Sequence, residues 1–154
     1  MDYQALRTEL ESNQAYAPRI AAGDDAGIAA MLNAKTVDAL RSLTSRELLV
    51  WAAQGGRYIK LESAAADTSR SAELRSVCKS AVKILDRDGT GLDLRDAQVA
   101  GLLGALVASG VLTAADQAAI RSMAANKISR AEELFGEGVT VTSSDISLAL
   151  RGQR

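Results

Sequence analysis

A single proline, Pro18, interrupts 154 residues in which apolar side chains recur at steps of three and four almost throughout. That spacing lines one face of a 3.6-residue helix, and proline is the residue that most often stops one. The pattern predicts an all-α protein, a compact bundle of about six to eight short-to-medium helices joined by short turns. Composition limits how such a bundle is held. Apolar residues make up 47% and charged residues 24%, a globular balance, but aromatics are only 3%. Alanine is frequent, so helices approach closely while each side chain buries little area, at roughly 25 cal/mol per Å². Such a core gives modest stability alone, or is helped by partner subunits.

The strongest helical stripe is 71–85, where Leu74, Val77, Cys78, Ala81, Val82 and Leu85 fall on one face and Arg75, Lys79 and Lys83 fall off it, toward solvent. A second long helix, about 95–109, is apolar on almost every side, which places it centrally or in an interface. A first helix over 2–13 carries Tyr3, Leu6 and Leu10 on one face, and "AYAPRIAAGDD" breaks it. A short helix through "AGIAAMLN" follows, capped by Asp24 or Asp25, and "AKTVDALRSL" reads as a connector. "TSRE" (44–47) and "SRAE" (129–132) have the form of capping boxes. "GVLTAAD" (110–116) and "GVTVTSSD" (138–145) share a glycine, an extended piece and a Thr-x-x-Asp cap, and "VTVT" (139–142) alternates like a brief strand. The expected organisation is an N-terminal helical hairpin at 1–35, loosely attached, and a main helical domain at 36–154.

Net charge is −1, which makes no electrostatic case for nucleic acid or an anionic membrane. The longest uncharged run, 99–112, is 14 residues, short of the roughly 20 that span a bilayer. The start is charged from its second residue, so no signal peptide is expected, and the chain is expected to be soluble at synthesis. Histidine is absent, which removes the usual general base near neutral pH and the commonest transition-metal ligand. The lone Cys78 forms no internal disulfide, and a buried, inert thiol is expected. No enzymatic activity and no cofactor are expected.

One stretch invites a metal. In "DRDGTGLDLRDA" (86–97), Asp86, Asp88, Thr90 and Gly91 fall where an EF-hand loop places its first ligands and its turn glycine. Position 12 is Ala97 instead of a bidentate Glu, position 9 is Leu94, and position 8, normally apolar, is Asp93. No sister loop exists. The same residues make an interhelical turn, with Asp93 or Asp96 capping the next helix. The stretch 129–150 can be drawn as helix-turn-helix, yet its second helix shows Ser143, Ser144, Asp145 and Ser147 with no basic residue before Arg151, unlike a groove-reading helix. Trp51 and Phe135 are expected as core anchors.

Several segments carry a likeness. "DLRDAQVAGLLGALVASGVLTAADQAAI" and "SRAEELFGEGVTVTSSDISLAL" resemble a group of small helical proteins encoded in tailed bacteriophages, whose genes lie among tail and virion genes. "MDYQALRTELES", "AAGDDAGIAAMLN" and "SRELLVWAAQGGRYIKLE" resemble the same group, so the likeness spans nearly the whole chain. It implies a non-enzymatic structural role in the tail or neck, as fibre attachment or head–tail joining, with other phage structural proteins as partners and a homo-oligomeric state. No nucleic-acid or membrane partner is implied. Matching positions include Trp51, Ser129, Arg130, Ala131, Leu134, Gly136, Val141 and Asp145, which read from their chemistry as anchor, cap and turn positions. The acidic loop is a departure from the group, which favours a glycine-rich or small polar turn there. The interface candidates are Tyr3, Leu6 and Leu10 on the first helix and Leu102 and Leu106 in the apolar run. The rivals are a small regulator with a degenerate calcium loop and a helix-turn-helix DNA-binding regulator.

Overall fold

The computed structural model describes residues 1–87 and 91–152. It is mostly helical, with one two-stranded ribbon. Contacts divide the chain into two units: Met1–Ala39 with Lys127–Arg154, and Leu40–Asn126. The second is therefore an insertion into the first.

Unit 1 begins with α1 (Tyr3–Ser12), whose N-cap Asp2 accepts from the Gln4 and Ala5 N–H groups at 3.0 Å. A turn of 3-10 helix (Gln14–Tyr16) leads into α2 (Ala17–Ala22). Pro18 stands in the first turn of α2, where its missing N–H is no loss. The stretch expected to be a break thus starts a helix, which Gly23 ends at φ +66°. Then come α3 (Asp25–Asn33), capped by Asp24, and strand β1 (Lys35–Leu40). After the insertion, β2 (Ala125–Ser129) pairs with β1, and α9 (Arg130–Phe135) and α10 (Ser143–Arg151) complete the unit.

Leu6, Leu10, Ile28, Leu32, Val141 and Ile146 are fully buried together. The first hairpin is thus not a loose attachment. The inward face of α1 packs on α10, and α10 also packs on α3, so the last 28 residues share a core with the first 39. Glu9 is buried and takes two bonds from Arg130, Nε at 2.9 Å and Nη2 at 2.5 Å. The expected strand at 139–142 does not form. The Asn33 side chain occupies the Val141 backbone instead, donating to its carbonyl at 2.7 Å and accepting from its N–H at 2.9 Å. The observed strands lie in the stretch read as a connector and in the five residues that end at Ser129.

Unit 2 contains α4 (Ser45–Ala53), α5 (Arg57–Ala66), α6 (Ala72–Asp86), α7 (Ala97–Ala108) and α8 (Ala114–Ala124). Gly55 and Gly56 turn α4 into α5 at φ +73° and +69°. Leu43, Trp51, Leu61, Cys78, Leu103 and Ile120 are among its core residues. Four capping boxes open helices in the two units: Thr44 with Glu47, Thr113 with Asp116, Ser129 with Glu132 and Thr142 with Asp145.

Leu43 and Leu92 pair in an isolated antiparallel bridge, with N–H to carbonyl bonds of 2.9 and 2.8 Å. Gly91 lets the chain come this close, because a Cβ there would sit 1.3 Å from the Leu43 carbonyl oxygen. Gly101, in the middle of α7, has open space around it. Gly91→Ala should therefore cost at least about 2 kcal/mol. Gly101→Ala should add about 0.5 to 1 kcal/mol, the ordinary helix-interior gain. Denaturant unfolding of the two variants checks both signs.

Candidate functional site

Leu148 of unit 1 is an exposed large aliphatic side chain, and four more stand on unit 2. Leu49 is 40% exposed, Val50 54%, Ile59 66% and Leu102 44%. Their placement follows from the run "LLVWAA" (48–53). It holds more apolar residues than one helix face can bury, so Leu48, Trp51 and Ala52 turn inward and Leu49 and Val50 are left outside. Leu102 does the same on α7, where Leu103 and Leu106 take the buried positions.

Beneath Leu102 lies a cavity of about 90 Å³, walled almost wholly by carbon. Val77, Ile84, Val99 and Leu103 line it with Trp51, the only tryptophan of the chain. Trp51 is buried, and its indole N–H has no partner among the described residues. The Arg57 guanidinium lies 4.9 Å from the ring centroid, within cation–π range. Arg57 also donates to the carbonyls of Trp51 (3.2 Å) and Gln54, and to Asp116 at 2.5 Å. One guanidinium thus closes the end of α4, the start of α5 and the cap of α8. Burial works to raise the Asp116 pKa. The Arg57 guanidinium and the Thr113 N–H and hydroxyl outweigh it and hold the carboxyl at about 2.

The interface candidates separate. Tyr3 is partly exposed, and its hydroxyl donates to Asp145 at 3.0 Å, which raises the phenol's pKa. Leu6 and Leu10 are the inward side of α1 and belong to the core of unit 1, so they are not open to a partner. Leu106 is likewise core in unit 2. Of the candidates, Tyr3 and Leu102 are large and exposed, and Val50 and Ile59 were missed. Their signal was in the sequence, in apolar residues standing opposite the Leu48–Trp51 and Leu61–Ala65 sides of their helices.

In the acidic loop, Asp86 accepts from the Tyr58 hydroxyl at 2.9 Å. Asp88 and Thr90 lie outside the described residues. The Asp93 carboxylate is taken by Arg95, at 2.9 Å from Nε and 2.7 Å from Nη2, and by the Arg95 N–H, which hold its pKa at about 2. Leu94 is buried, and Asp96 caps α7 through the Gln98 N–H at 2.7 Å. The described carboxylates after Gly91 therefore serve the turn. Among the described residues no three His, Cys, Asp or Glu side chains come together as a metal site. Around the helix-turn-helix-like segment, Arg130 is bound to Glu9 and Glu133, and Arg151 to Asp25. Cys78 is buried on α6, and burial pushes its thiol pKa up. Among the described residues no helix is long and apolar enough to cross a membrane.

Asp116→Asn removes a buried ionic acceptor and half of a capping box, and should cost about 2 to 4 kcal/mol. The carboxyl's folded pKa is depressed, so its contribution is full above the ordinary value of 3.8 and is lost as pH falls toward about 2. Denaturant unfolding followed by Trp51 fluorescence should show wild-type stability falling over that window more steeply than that of Asp116→Asn.

No family model, curated protein or solved structure matches this chain.

Proposed function

We propose that the chain is a non-enzymatic structural component of a tailed-bacteriophage particle, working by protein–protein contact in the tail or neck region. The exposure of Leu49, Val50, Ile59 and Leu102 supports this most directly. Large aliphatic side chains left in water on neighbouring elements of one small unit are what a docking surface requires. The segments that resemble phage virion proteins include both helices of the α4–α5 hairpin, which carries three of the four residues. A thin, alanine-rich core also suits a subunit that gains stability from neighbours, and closed cyclic assembly is the natural form for one placed about a tail axis. In this reading the protein is soluble before assembly and ends in the virion.

Purified particles of the encoding phage should contain the chain at a fixed copy number, measured by quantitative mass spectrometry. Its absence from particles would contradict the proposal. Val50→Glu with Ile59→Glu should change the stability of the isolated protein by less than about 0.5 kcal/mol per site, since both side chains already face water. The same double variant should fail to enter particles.

A further inference from the structure

Charge is divided unevenly between the units. Residues 40–126 carry 11 basic against 9 acidic residues, net +2, and the remainder carries 7 against 10, net −3. The pairing differs more than the totals. In unit 1, Arg7, Arg19, Lys35, Lys127, Arg130 and Arg151 are each in an ion pair. In unit 2, α6 and its C-cap present Arg75, Lys79, Lys83 and Arg87 at successive steps of four residues, and among the described residues none of these has an acidic partner. Lys79, Lys83 and Arg87 are exposed. Arg75 is half-buried, and its Nε–H has no acceptor among the described residues. Of the carboxylates on α6, Glu73 lies in the first turn and Asp86 is engaged by Tyr58.

A four-residue step on a helix rises about 6 Å and keeps side chains on one slowly winding ridge. The row therefore presents four cations over about 18 Å, without an acidic partner among the described residues, most of whose other basic side chains are in ion pairs. A second helix with Asp or Glu at every fourth position repeats the same rise and meets cation with carboxylate along its length. The exposed residues beside the row are Ala72, Ser76, Ser80 and Asp86, the last held by the half-buried Tyr58, with no exposed aromatic surface to stack a base and no amide to read one. We infer that the outer ridge of α6 is a docking surface for an acidic helix of another protein. The row lies on α6, which carries none of the exposed aliphatic residues, and the inference rests on the protein-contact function proposed above only for the identity of the partner.

The probe is a fluorescein-labelled alanine-rich helical peptide with Glu at every fourth position, followed by anisotropy with the full chain. Binding should be measurable at low salt and weaken at least about tenfold at several times that ionic strength. Lys79→Glu with Lys83→Glu should weaken it at least about tenfold. Arg46→Glu with Arg121→Glu makes the same change in net charge at exposed positions on α4 and α8, and should leave affinity within about twofold. Circular dichroism of both double variants establishes that they are folded. Three results would overturn the inference: no binding at low salt, equal losses in the two double variants, or tighter binding of a DNA duplex of matched charge than of the peptide. Each is distinct from absence of the chain from virions, which bears on the proposed function alone.

Discussion

Two arginine–carboxylate ties do much of what large side chains do in richer cores. Glu9 and Arg130 are 121 residues apart and join α1 to the start of α9. Arg57 and Asp116 are 59 apart and join the α4–α5 turn to the cap of α8. In both the carboxylate is buried and the guanidinium is nearer the surface. Removing one partner would strand a buried charge, so each tie specifies which helices meet as well as adding stability. A chain with 3% aromatics and abundant alanine needs such specification, because alanine faces pack acceptably in many registers.

The insertion follows from the same economy. A 154-residue chain could form one large core, yet the buried residues fall into two clusters with no shared members. Val141, Ile146 and Ala149 complete the surface that Leu6, Leu10, Ile28 and Leu32 begin, and residues 40–126 build their own core around Trp51 and Cys78. The chain crosses from one unit to the other within β1 and returns within β2, and those strands pair.

Local chemistry was legible in the sequence. The boxes at Thr44, Thr113, Ser129 and Thr142 form at the residues expected, because a cap is decided within four positions. The 71–85 stripe became α6, with Cys78 and Leu85 buried. Long-range pairing was not legible. β1 and β2 are separated by some 85 residues, and neither "KTVDAL" nor "ANKIS" alternates strongly enough to announce a strand. The apolar face of α1 was visible, but periodicity does not say whether a face meets its own chain or a partner, and here Leu6 and Leu10 meet Ile146 and Val141. Excess was the better signal for surface: runs holding more apolar residues than one side can bury, as at 48–53, left Leu49 and Val50 exposed.

The shared core of the two chain ends is tested most directly by hydrogen exchange, read by mass spectrometry, on a chain ending at Asn126. Without Val141, Ile146 and Arg130, amides in 3–33 should lose protection, while those in 45–124 keep theirs. Protection in 3–33 equal to that of the full chain would contradict the account, for it would mean that the first helices are held by something other than the last ones.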